Sequence, residues 1–177
     1  MSPNRTAWSP IVVGLVVLCA IPGCYQAPSP ADLAQEALQA ASAEDQELAA
    51  VKLAEVANDQ QLDRQVCDEA QQELRRVLGE SRSPTVRAAC IQGLASLWDY
   101  ESMPAFLAAL DDPSEVVRGP ATVTIERMMS VNLKGFGYDY RGPPATRAAA
   151  IERIRQYWEE KREGPIFTNW MKKKKRP

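Results

Sequence analysis

At 177 residues, with 45% hydrophobic and 25% charged side chains, the chain has the material of one soluble domain with an ordinary core. Histidine is absent, which removes the commonest general base and the commonest neutral metal ligand together. The net charge of -2 conceals a separation: five basic residues lie in Lys172–Arg176, while residues 24–171 hold 15 basic against 23 acidic side chains.

In chain order, Arg5 precedes an apolar run from Ile11 to Ile21, short of the roughly 20 residues that span a bilayer. The run closes on Ile21-Pro22-Gly23-Cys24, an ending that resembles a bacterial lipoprotein signal. The resemblance implies that residues 1–23 are a signal peptide and that Cys24 becomes an acylated N-terminus. The mature chain is then anchored to a membrane of the cell envelope rather than spanning it. A plain secretory peptide and an uncleaved anchor are the alternative readings. Residues 24–29 form a short Pro-containing tether.

Helical signals then follow without a strand pattern. Ser29, Pro30 and Asp32 read as cap, first turn and third helical position of an Ala-rich helix to about Ala41. Ser42 with Asp45 opens another, expected to bury Leu48, Val51 and Val56. A longer helix is expected from about Gln60 to Gly79 on Leu62, Val66, Ala70, Leu74 and Val77. Ser83-Pro84 opens the next, in which Val86, Ala89, Cys90, Gly93, Leu94 and Leu97 make one apolar stripe. In the segment after it, Asp112 is expected to cap with Pro113 and Glu115 in its first turn, and Pro120 to kink it. Asn132–Pro143 has three glycines and three aromatics and no helical period, so it reads as a loop lying against the helices. Helix resumes from Pro144 to about Lys161, with Tyr138, Tyr140 and Trp158 expected to seal the end of the core. Gly164-Pro165 is expected to end ordered helix, leaving 164–177 as an apolar then basic tail.

One phrase is stated twice: Val86-Arg87 recurs as Val117-Arg118, thirty-one residues on, and Arg147 follows after twenty-nine more. Repetition on this scale marks stacked helical units that bury their faces against one another. The string Asp112-Pro113-Ser114-Glu115-Val116-Val117-Arg118, preceded by Met103–Leu110, resembles a HEAT repeat. The earlier unit around Val86 and Arg87 is similar, with Ser81 where the family's turn has Asp. The resemblance implies an all-α, short HEAT-like α-solenoid of about three to four antiparallel helix pairs over residues 30–163. It also implies that Val86, Arg87, Asp112, Pro113, Val117, Arg118 and Arg147 are structural, the arginines bonding turn carboxylates and carbonyls between units. An anion-binding stripe of those arginines is the alternative.

In such arrays the inner helices line the binding face, so Gln92, Ser96, Thr122 and Glu126 are the candidate partner-binding residues. No metal cluster, phosphate cradle or nucleophile elbow is legible, and no catalytic residue, metal or cofactor is expected. Cys67 and Cys90 are expected to be small buried hydrophobes rather than a disulfide. Between antiparallel helices they fall about five residues out of level, roughly 7 Å along the axis.

The function expected is non-enzymatic: a lipid-anchored envelope scaffold binding a protein partner, with no nucleic acid. Two alternatives stand beside it. One is a structural lipoprotein held to anionic lipid or cell-surface polymer by Lys172, Lys173, Lys174, Lys175 and Arg176. The other is a HEAT-type lyase-like enzyme, for which no catalytic groups are legible and which loss of turnover on substituting Phe136, Tyr138 or Tyr140 would favour.

Overall fold

The computed structural model describes residues 27–174; residues 1–26, on which the expected signal peptide and Cys24 fall, and residues 175–177 lie outside the described residues. The described chain is all-helical. Its α-helices are α1 (Pro30–Gln39), α2 (Ala43–Asn58), α3 (Arg64–Glu80), α4 (Pro84–Ser96), α5 (Met103–Ala109), α6 (Glu115–Met129), α7 (Pro144–Lys161) and α8 (Pro165–Lys174). Short 3-10 turns at Tyr100–Ser102 and Leu133–Phe136 join them.

The first helix starts are set by side chains competing for free amides. The Ser29 hydroxyl accepts from Asp32 N at 3.2 Å while the Asp32 carboxylate accepts from Ser29 N at 3.1 Å, a reciprocal box. Ser42 accepts from Asp45 N at 3.0 Å in the same way. Before α3, however, Asp59 binds Gln61 N at 2.8 Å and Asp63 binds Gln65 N at 2.7 Å. These two carboxylates hold a turn, so the helix begins at Arg64 rather than Gln60, and Leu62 is left 42% exposed.

The helices pack mainly against sequence neighbours and next-but-one neighbours: α2 against α1, α3 and α4, α4 against α3 and α6, and α5 against α6 and α7. Thus α2, α4 and α6 lie side by side. This contact order changes the face that α2 buries. Ala49, Ala50, Leu53 and Ala57 are buried, whereas Leu48 and Val51 are 51% and 39% exposed. Small residues allow close approach: a Cβ placed on Gly93 of α4 would lie 2.6 Å from the Ala54 Cβ of α2. From α3 onward larger side chains fill the core. Leu74, Val77, Val86, Ile91, Leu94, Met103, Phe106, Leu110, Val117, Ile125 and Met128 are buried, each contributing roughly 1.5–3 kcal/mol for the larger ones.

Two tyrosines close helix ends. Tyr138, buried in the loop, donates its hydroxyl to Leu110 O at the end of α5 at 2.6 Å, and Tyr100 donates to Met128 O near the end of α6 at 3.0 Å. Each satisfies a carbonyl that the helix leaves open. The α6 start differs from the sequence expectation. Ser114 is its cap, accepting from Val116 N at 3.3 Å, and Asp112 holds the turn before it by accepting from Ser114 N at 2.8 Å. The helix continues through Pro120 to Met129.

The end of the chain departs furthest from expectation. Gly164 N donates to Lys161 O at 2.8 Å in a tight turn, where a Cβ would lie 2.9 Å from that same oxygen. Pro165 then opens α8 instead of ending order, because a proline is well tolerated at the first helical position. Phe167 meets Tyr100 and Trp158 edge-on, at ring-centroid distances of 6.3 and 5.8 Å. None of the described helices is long and apolar enough to cross a membrane.

Candidate functional site

The repeated arginines are engaged with turns. Arg87 grips Asp112 with two bonds of 2.9 Å and donates to Ser81 O and Arg82 O at 3.0 Å. It therefore joins its own turn, which lacks a carboxylate at position 81, to the next turn, which has one. Arg118, buried, donates to Asp112 O, Pro113 O and Tyr140 O at 2.7, 2.9 and 2.6 Å. Arg147 donates to Gly142 O at 2.6 Å and reaches Asp111 at 3.4 Å, leaving its buried Nε without a partner. These geometries describe braces between turns, not an open anion stripe.

A fourth brace has no counterpart in the repeat pattern. Asp99 is 0% exposed and held by Arg75 through two bonds of 2.7 Å, with Ser102 donating at 2.5 Å. Arg75 also meets Glu101 at 2.8 Å. Next to it, Trp98 has φ 53, in the left-handed region where side chains are rare. Its exposed ring lies under the Arg127 guanidinium, 5.0 Å from the centroid.

The four residues chosen for partner contact line one surface. Gln92 and Ser96 sit with Val51, Ala54, Asn58 and Gly93 in a groove of about 480 Å³ between α2 and α4. Gln92 also lines a second groove of about 310 Å³ with Pro120, Val123 and Arg127, between α4 and α6. Val123 in turn lines a third, of about 870 Å³, with Thr122, Glu126, Lys134, Tyr140 and Arg141. The first two grooves share Gln92 and the last two share Val123, so the three follow one another as a trough-like row along α2, α4, α6 and the 134–141 loop. Val51 and Val123 present apolar surface in it, Val123 being 64% exposed. The sequence reading missed both: it assigned Val51 to the core and passed over Val123, although Val123 falls one residue after Thr122 on the same helix.

The chosen polar groups are not equally free. Glu126 accepts from Leu133 N at 2.8 Å and so fastens the loop. Thr122 and Ser96 donate to helix carbonyls, Arg118 O and Gly93 O, both at 2.7 Å. Gln92 is exposed. Of the three loop aromatics, Tyr138 is buried and bonded, Phe136 packs edge-on against Tyr157 at 5.3 Å, and Tyr140 lies beneath Arg141.

Cys67 and Cys90 are both free thiols. Cys90 is buried, as expected, and burial pushes its pKa up to about 12. Cys67 is only half-buried, contrary to expectation, because the turn at Asp59–Asp63 leaves the start of α3 uncovered. It donates to Asp59 O at 3.2 Å, and desolvation together with Asp59, Asp68 and Asp63 raises its pKa. Among the described residues no group of His, Cys, Asp and Glu could hold a metal ion. No protein-family model, characterised protein or solved structure matches the chain.

Proposed function

We propose that the chain is a short HEAT-type stack of helix pairs that acts as a lipid-anchored adaptor of the cell envelope, binding a protein partner along the α2–α4–α6 trough. The observation that carries this reading is the row of three neighbouring grooves that share Gln92 and Val123 in their walls, with valine surface exposed in them. Protein interfaces combine an apolar centre with a polar rim, and here Val51 and Val123 lie among Gln92, Ser96, Thr122 and Arg127. The side-by-side order of α2, α4 and α6 and the Arg87–Asp112 brace between successive turns support the HEAT assignment. Cys24 is the proposed site of lipid attachment, on the signal-like sequence before it.

The test is site-specific photocrosslinking on membranes. A photoreactive residue at position 92 or 123 is expected to capture one envelope protein that the same group at Gln72, exposed on α3, does not. Val123→Arg is expected to abolish the capture from position 92 without changing the fold, since the side chain is already solvent-facing. Equal capture from position 72 would overturn the trough reading. A native N-terminal peptide that begins at unmodified Met1, rather than at acylated Cys24, would overturn the lipid anchor.

A further inference from the structure

Helix α8 is chemically unlike the body it rests on. Residues 164–177 contain no Asp or Glu, whereas residues 24–163 carry 15 basic against 23 acidic side chains. Within α8, Ile166, Phe167, Trp170 and Met171 recur in the sequence at helical spacing, and the basic run Lys172–Arg176 follows directly. An apolar stripe beside a cluster of lysines is the composition of a helix that lies in a membrane interface.

Its described attachment to the body is aromatic. Phe167, itself half-buried, sits on a cup of Tyr100 and Trp158. A cavity of about 140 Å³ lined by Met128, Met129, Tyr157 and Trp158 remains beside it. The Gly164 turn and Pro165 separate α8 from α7, so α8 can leave without unwinding its neighbour.

We propose that α8 is a membrane-surface helix, which exchanges the aromatic cup for an anionic bilayer. There Phe167 and the rest of its apolar stripe enter the boundary below the headgroups, and Lys172–Arg176 meet the phosphates. A bilayer offers both apolar depth and negative charge; an acidic protein surface, such as the body of a second copy, offers only the charge. The body, with its excess of carboxylates, is repelled by the same surface, so α8 sets both the contact and the orientation. This does not depend on the trough or on Cys24.

The experiment uses the full chain with Cys24→Ala and vesicles of phosphatidylcholine alone or in equal parts with phosphatidylglycerol. Every variant retains residues 11–21, so their own affinity for lipid cancels in the comparison. The parent is expected to bind the anionic vesicles and to be released by molar salt, which shortens the Debye length from ~10 to ~3 Å. Replacing Lys172 to Arg176 by Gln removes about a fivefold factor per charge and weakens binding on the order of a thousandfold. The fluorine resonance of 4-fluorophenylalanine at position 167 is expected to shift on adding anionic vesicles. Equal binding of parent and Gln variant would overturn the proposal, as would binding without any fluorine shift. Salt-sensitive self-association without lipid affinity would overturn it in favour of a second copy.

Discussion

Replacing Gly93 by Ala should destabilise the protein, although the same change in an isolated helix stabilises it. In helix interiors Ala is favoured over Gly by about 1 kcal/mol. At Gly93 the new Cβ would sit 2.6 Å from the Ala54 Cβ and 3.5 Å from Leu74 Cδ1, against the roughly 3.5–4.0 Å at which carbon atoms attract. Helix α4 would therefore have to retreat from α2 by about 1 Å. Overpacking of this kind costs about 1–3 kcal/mol, so the expected net loss is about 1 kcal/mol, read as a lower urea midpoint at unchanged slope. Gly79 supplies the contrast. A Cβ there meets nothing within 4 Å, and Gly79→Ala should stabilise by up to about 1 kcal/mol. Ala54→Gly removes the opposing methyl, so the double variant should be more stable than the sum of the singles by about 2 kcal/mol. A rise in midpoint for Gly93→Ala, matching that of Gly79→Ala, would refute the claim that small residues set the α2–α4 approach.

The Arg87–Asp112 pair, with side chains 16% and 11% exposed, should show a coupling of about 2 kcal/mol in an Arg87→Met, Asp112→Ala cycle by urea unfolding. The half-exposed Arg162–Glu159 pair should show less than about 0.5 kcal/mol. In a chain with Cys19 and Cys24 changed to Ser, a thiol reagent should modify native Cys67 and reach Cys90 only on unfolding. Because burial raises the Cys90 pKa from 9.0 to about 12, its stabilising effect is complete below pH 9 and is lost as pH rises toward 12. Over that window the parent should lose about 1.4 kcal/mol per pH unit more than Cys90→Ala does.

The caps at Ser29 and Ser42 were legible because each depends on a hydroxyl and on residues within four positions. The turn-bracing of the arginines was implied by the resemblance to a repeat family and not by their recurrence, which fixes no bonding partner. The face of α2 was not legible. Leu48 and Val51 outweigh Ala49 and Ala50 in hydrophobicity, but the helix has neighbours on several sides and close approach selects alanine. The Asp99–Arg75 brace was hidden by a separation of 24 residues and by the left-handed Trp98 that turns the chain between them. Helix α8 was missed because a Gly-Pro pair closes one helix and opens another with equal ease. The trough residues were half legible. Gln92, Ser96, Thr122 and Glu126 follow from the periodicity, but Val51 and Val123 are exposed only because of how three helices meet.

Arg118 fixes the loop after α6 by binding main-chain oxygens: Asp112 O, Pro113 O and Tyr140 O. Every amino acid supplies such an oxygen. The course of the backbone at position 140 is thereby set by its oxygen, whereas at position 139 the Asp carboxylate itself holds Arg141 N at 2.9 Å. The edge of the groove lined by Thr122, Val123 and Tyr140 is thereby held through its main chain, by a cation anchored in the turn before α6.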